Sequence, residues 1–218
     1  LPNPLVIAAM KSEADCLGAA AICCGIGPVR AQTAAEQAIS GGATALISFG
    51  TAGGLDPSLR AGTVVLSQAV IAADGQRFEA SVKWLNELAV FLPFAICGII
   101  SGQDKVVATV TDKKRLFEAT GAIAVDMESH AIAAAATAAG VSFMAIRVIT
   151  DTQARRLPGW LSDYIGRDGT VDNTGIALQT LLRPLDWGAM FGLALDSRKA
   201  HRALRRVAAI AGPGFGLG

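Results

Sequence analysis

Along the chain, continuous apolar runs alternate with stretches in which Ala, Glu, Gln, Lys and Arg mix at helical spacing. The runs cover residues 5–10, 20–25, 43–49, 63–73, 94–100, 123–126 and 142–150. Strands buried on both faces read this way, because neither face has to meet water. Between them, helices are predicted over residues 29–40, 82–91, 111–118 and 129–139. Pro28 is acceptable at a first helical position, Gly41-Gly42 and Gly140 are stop signals, and Thr111 or Asp112 is the expected cap of the third helix. A polar stretch from Lys11, with Ser12 as its cap, starts a further helix. The rhythm predicts an α/β fold: one domain over residues 1–211, with a central, mostly parallel or mixed, twisted sheet flanked by helices.

The last third is patterned differently. Residues 151–173 are polar and irregular and read as a loop beside a ligand crevice, followed by helices over 174–182 and 187–209. The second of these carries Trp187, Met190, Phe191, Leu193 and Leu195 early, and Arg198, Lys199, Arg202, Arg205 and Arg206 late. Two readings stand: a solvated helix packed by its Trp and Leu face, or an interfacial helix lying on anionic membrane. Residues 212–218 are expected to be a disordered tail.

Composition narrows the class. The 218 residues are 52% hydrophobic and 17% charged with 24 glycines, the profile of a compact enzyme rather than of a disordered or coiled-coil chain. A net charge of +1 implies no polyanion-binding field, so nucleic acid is not an expected partner. Cys16, Cys23, Cys24 and Cys97 form no Cys-x-x-Cys pair, and His130 and His201 are far apart, so no metal site is expected. Reduced, buried thiols fit a cytoplasmic location. The apolar run at residues 5–10 is too short for a signal peptide, and none elsewhere reaches the ~20 residues of a membrane span. The mean hydropathy of +0.45 is nonetheless high and keeps peripheral contact with an inner membrane in view.

Candidate chemistry lies at the ends of the apolar runs. Asp126-Met127-Glu128 closes one and Asp151 another, and in open α/β sheets the carboxyl ends of strands line the ligand crevice. Gly50-Thr51-Ala52-Gly53-Gly54 follows a third run and reads as a small-residue loop that lets a ligand approach the main chain. Gly25-x-Gly27-x-x-Arg30 lacks the third glycine of a dinucleotide fingerprint and reads as a turn into a helix.

Four segments together, Ala9-Met10-Lys11-Ser12-Glu13, Gly50 to Leu55, Val125-Asp126-Met127-Glu128 and Arg147 to Asp151, resemble the nucleoside phosphorylase and nucleosidase superfamily. The arrangement is closest to the methylthioadenosine/S-adenosylhomocysteine nucleosidases. The short chain, the Asp151-Thr152-Gln153 continuation and the basic, Trp-bearing C-terminus look like the hopanoid-biosynthesis branch, whose members remove adenine from adenosylhopane. The resemblance implies a nucleoside phosphorylase-like fold and a set of roles. Asp151 would protonate N7 of the departing purine, and Glu13 would orient the attacking water. Glu128 would grip the ribose hydroxyls with Met127 packed on the sugar, and Thr51, Ala52 and Gly53 would flank the ribose. Ser101-Gly102 and Val106 would belong to the base-binding loop.

The chemistry itself asks for such a set. Breaking an N-glycosidic bond passes through a cationic sugar and expels a poor leaving group, so an acid near the base and carboxylates near the sugar both help. Residues 103–106 lack the aromatic usual in the base loop, and the segment between 73 and 94 is shorter than the family's sugar-side loop, which suits a bulky 5′ substituent. No cofactor is expected. Water is the expected nucleophile, with phosphate as an alternative co-substrate for which Arg30 and Arg60 are the available cations. Asp126 is expected to point away from the site or to be structural, Arg147 to brace the sheet, and His130 to pack rather than act as a base. The expected activity is hydrolytic release of adenine from a 5′-substituted adenosine. Phosphorolysis, methylthioadenosine/S-adenosylhomocysteine hydrolysis and simple nucleoside binding remain as alternatives. The expected partner is a small or lipid-linked nucleoside, and the expected assembly a homodimer.

Overall fold

The structure, a computed structural model, describes residues 3–166, 168–212 and 215. Strands β1 (Pro4–Ala8), β2 (Ala21–Cys23), β3 (Ala45–Gly54), β4 (Val64–Ile71), β5 (Arg77–Glu79), β6 (Ile96–Gly102), β7 (Ala124–Asp126) and β8 (Ser142–Asp151) form one mixed sheet. Helices α1 (Lys11–Ala14), α2 (Pro28–Ser40), α3 (Val82–Phe91), α4 (Val110–Thr120), α5 (Ser129–Ala139), α6 (Asn173–Leu182) and α7 (Trp187–Ala211) surround it. The expected α/β class is what the chain forms, but the sheet is not open. β3 pairs β8 in parallel, β8 pairs β4 antiparallel, β4 and β7 both pair β6 in parallel, and β7 returns antiparallel onto β3, closing a ring.

Each face of the sheet is covered by a chemically distinct layer. Alanines of α2 and α5, among them Ala31, Ala35, Ala133 and Ala136, lie in one core. Small side chains let those two helices approach closely beside the strands. On the other face, Trp84 and Leu88 of α3 and Leu204 and Val207 of α7 form a larger-grained core. Continuous apolar strands are the result of this double cover.

Several expectations change. The glycine segment after Phe49 is not a loop, because β3 continues through Gly54, kept in register by the equally long β8. Thr109, rather than Thr111 or Asp112, caps α4 by accepting from the Asp112 amide. A short 3-10 turn spans Gly159–Tyr164 within the stretch read as loop. Cys23 is exposed rather than buried, since β2 lies at a sheet edge. The expected tail falls mainly on residues 213, 214 and 216–218, which lie outside the described residues. Phe215 departs from that expectation: it is buried, stacks edge-on against Phe49 and accepts a hydrogen bond from Trp84 Nε1 at 2.7 Å.

Candidate active site

Strand register brings the distant acids together. A bulge in β8 at Thr150, opposite the Ala52-Gly53 step of β3, leaves Gly53 opposite Asp151 of β8 on one side and Val125 of β7 on the other. Because β7 runs back along β3, the residues leaving it, Met127 and Glu128, pass over the Thr51 end of that strand. β1 lies on the far side of β3 and delivers Met10 and α1, whose buried Glu13 reaches across to β3.

Each carboxylate is seated by main chain that only glycine or a small residue permits. Glu13 Oε1 accepts from the Thr51 amide at 2.7 Å and its hydroxyl at 2.8 Å, and Oε2 accepts from the Met10 amide at 3.1 Å. A Cβ at Gly50 would stand 2.7 Å from Glu13 Oε2, so that glycine is a requirement of the acid beside it. At Gly53 a Cβ would press on Val125 and on Asp151 Oδ2 at 3.2 and 3.3 Å. Glu128 Oε1 accepts from the Gly27 amide at 2.8 Å, and Gly27 holds a φ of 103° that L side chains rarely adopt.

Burial sets the charge state of two of these acids. The Glu128 carboxyl is pushed up to about 7 by desolvation and by the neighbouring Asp126, against the pull of the Gly27 amide and Arg147. Asp151 is raised above the ordinary aspartate range by burial, a shift that the Lys113 ammonium only partly offsets. Lys113 is fully buried in the first turn of α4. It ion-pairs with Asp151 Oδ2 and also donates to the carbonyls of Thr152 at 3.0 Å and Arg155 at 2.9 Å. A carboxyl that gains protons on burial yet keeps a cation beside it is suited to give up and recover a proton.

The three acids line one cavity of about 740 Å³, in the upper part of the range of small-molecule sites. Of the residues expected at the site, Glu13, Thr51, Ala52, Gly53, Val106, Met127, Glu128 and Asp151 line it. Ser101 and Gly102 do not. Ser101 is buried and accepts from Gln103 Nε2, while Gly102 makes room for the His130 ring, since a Cβ there would lie 2.4 Å from His130 Cβ. β6 ends behind the cavity, and the loop after it, Lys105 to Val107, supplies the lining. His130 packs there and meets Asp104 at 3.2 Å.

Arg147 is the expected brace, but Asp126, which it holds, does not point away: both line the cavity. Arg147 Nε donates to Asp126 Oδ2 at 2.6 Å, and its terminal nitrogen reaches Ser48 at 2.5 Å and Ser129 at 2.9 Å. Arg147 is the guanidinium in the lining, and these bonds occupy it; Arg30 and Arg60 are exposed and outside the cavity. Two lining or supporting groups were missed from sequence. One is Lys113. The other is Thr150, which lines the cavity and whose buried hydroxyl oxygen has no hydrogen-bond partner among the described residues. Among the described residues no group of three His, Cys, Asp or Glu is placed to hold a metal ion.

The far wall is different. Leu157, Leu161, Ile165, Ile176, Met190 and Leu193 enclose the remainder of the cavity with apolar side chains, all from the last third of the chain. The Lys11 amide donates to the Gly169 carbonyl at 3.3 Å, which ties that third to the start of α1 beside Glu13.

This fold, with its acids gathered along β3, is that of the phosphorylase superfamily, whose profile matches residues 18–163; the chain belongs to that superfamily. Among solved structures it is similar to 5′-methylthioadenosine/S-adenosylhomocysteine nucleosidase from Neisseria meningitidis in complex with methylthio-immucillin-A. The TM-score there is 0.73 at 19% identity, over 96% of this chain and 97% of that one. It is also similar to S-adenosylhomocysteine nucleosidase from Streptococcus pyogenes, with TM-score 0.67 and 23% identity over 70% of this chain and 85% of that one. Futalosine hydrolase from Helicobacter pylori gives 0.63 at 16% identity over 69% and 88%. At such identities the likeness is one of fold. No match is found among curated protein sequences.

Proposed function

We propose that the protein is a nucleosidase that hydrolyses the N-glycosidic bond of an adenosine carrying a bulky apolar 5′ substituent, with adenosylhopane going to ribosylhopane and adenine. The observation that carries the reading is one cavity with four buried carboxylates at one end, one of them Asp126 held by Arg147, and an apolar wall at the other. Superfamily membership supports the bond type, and the wall supports the 5′ group.

In the proposed reaction Glu13 holds and deprotonates a water, whose oxygen forms the new bond to C1′ as the bond to N9 breaks. The leaving adenine takes a proton at N7 from Asp151. Glu128, as carboxylate, binds the ribose hydroxyls and offsets the positive charge that develops on the sugar. Water is favoured over phosphate because Arg147, the guanidinium in the lining, is bound to Asp126, Ser48 and Ser129, which leaves the exposed Lys105 as the one further lysine or arginine in the lining.

Adenine release from a panel of 5′-substituted adenosines, with and without inorganic phosphate, tests the reading. Release from a lipid-linked adenosine without phosphate is expected. Strict dependence on phosphate would make the enzyme a phosphorylase, and preference for methylthioadenosine would make it a soluble-nucleoside hydrolase.

A further inference from the structure

Helix α7 has an inward and an outward face. The inward one changes environment along its length: Met190, Leu193, Ala194, Ser197 and His201 turn to the cavity, and Ala200, Leu204, Val207 and Ala208 are buried against the sheet. The remaining face carries Trp187, Phe191 and Leu195, then Arg198, Arg202 and Arg205, all six exposed. At about 3.6 residues and ~1.5 Å per residue, these six share about a quarter of the circumference and form a stripe about 27 Å long.

The apolar end of the stripe is part of a wider patch. Leu181 and Leu182 at the end of α6 are two-thirds exposed and Leu185 is fully exposed, and Trp187 Nε1 donates to the Thr180 carbonyl at 2.7 Å, joining the two helices at this corner. Clusters of exposed leucines and aromatics of this size mark interaction surfaces. At the other end none of the three arginines has an ion-pair partner among the described residues. The nearby acid, Asp196, lies on the buried side and pairs with Arg155 and Lys199.

We infer that this stripe is a docking surface for an anionic lipid bilayer. Trp187, Phe191 and the α6 leucines enter the acyl boundary, and the arginines rest among the headgroups. Charge chooses the bilayer over a second copy of the chain. The stripe carries no acid, so a self-complementary interface would bury its arginines without partners, at a desolvation cost nothing repays. No helix among the described residues is long and apolar enough to cross a membrane, so the contact is peripheral. Because the cavity face of α7 borders the stripe, docking would present the apolar wall to the lipid layer. That link to substrate delivery rests on the proposed function; the docking itself does not.

Co-sedimentation with phosphatidylcholine vesicles, with and without phosphatidylglycerol, tests the inference on the full chain without any substrate. Binding is expected with phosphatidylglycerol only, falling with salt. Changing Arg198, Arg202 and Arg205 to Gln should weaken it by about 100-fold, from the usual contribution of a basic residue near such a surface. Phe191→Ser should also weaken binding, and the tryptophan emission of the parent protein should shift to the blue on vesicles, a shift that Trp187→Phe removes. All are surface changes, and an unaltered melting curve would confirm that the fold is kept. No vesicle binding, or binding indifferent to phosphatidylglycerol, would overturn the inference. So would a dimer in vesicle-free solution that Phe191→Ser dissociates. Asp151→Asn should sediment like the parent, which separates failure here from failure of the nucleosidase reading.

Discussion

The floor of the cavity, on β3, β7 and β8, is polar, buried and crosslinked, whereas its far wall, from residues 157–165, α6 and the first turns of α7, is apolar and lightly held. Glu13 alone accepts three hydrogen bonds, and Lys113 ties Asp151 to two carbonyls of the next loop. In α6, by contrast, no residue is buried. On the proposed function, geometry that must be held to fractions of an ångström falls on paired strands, while the surface that would meet the 5′ substituent falls where side chains can adjust. The reaction and the choice of substrate should therefore be separable by mutation.

The largest effects belong to the floor. Glu13→Gln keeps the shape but removes the base, and kcat should fall by roughly 100-fold to 10,000-fold, as measured by adenine release, with little change in the binding of a non-reactive nucleoside analogue. Loss of analogue binding in parallel would place Glu13 in binding instead.

Lys113→Met tests the ion pair. It strands a buried Asp151 and should lower stability by about 3 kcal/mol at alkaline pH. With its cation gone, the Asp151 carboxyl is pushed higher still, so the folded variant holds a proton that the unfolded chain releases at ordinary carboxylate pH. The variant should thus lose stability as pH rises, and the gap from the parent should be larger at pH 8 than at pH 5. Urea unfolding at both values checks this; an equal gap would mean the loss comes from packing.

A third effect comes from Glu128. Its carboxyl stands at about 7 in the folded protein against 4.5 in a free chain. If its charged form serves the sugar, kcat/KM should rise with pH through about 7. Over the interval from 4.5 to 7 the folded state holds more of this proton, so Glu128 makes stability fall as pH rises. Glu128→Gln should remove both trends.

The smallest effect belongs to the wall. Leu193→Trp should reduce kcat/KM for a lipid-linked adenosine by about 10-fold while leaving a small 5′ group unaffected. Equal losses on both substrates would mean the wall supports the floor rather than reading the substituent.

The same division explains what could be read from sequence. The floor is written in local motifs: apolar runs ending in acids, and small residues where an acid must approach the main chain. Helices α3 and α5 were also legible, because Ser81 and Gly140 bound clear helical patterns. Lys113 was missed because it sits in the charged run Asp112 to Arg115, which reads as a solvated face. Its spacing of three and four from Leu116 and Phe117 was the available signal that it lies on the apolar side of α4. Ser101 and Gly102 were misplaced because the direction of a side chain at a strand end depends on register, which only β7 and α5 decide. The closed ring of strands was out of reach for the same reason, since β3 meets β7 through two residues alone.

The central claim is that Asp151 supplies the proton on which adenine leaves. Adenine release by Asp151→Asn, measured under single-turnover conditions on a lipid-linked adenosine, addresses it directly. The account expects substrate binding close to that of the parent and bond cleavage slowed by roughly 100-fold or more. Cleavage at the parental rate would contradict it.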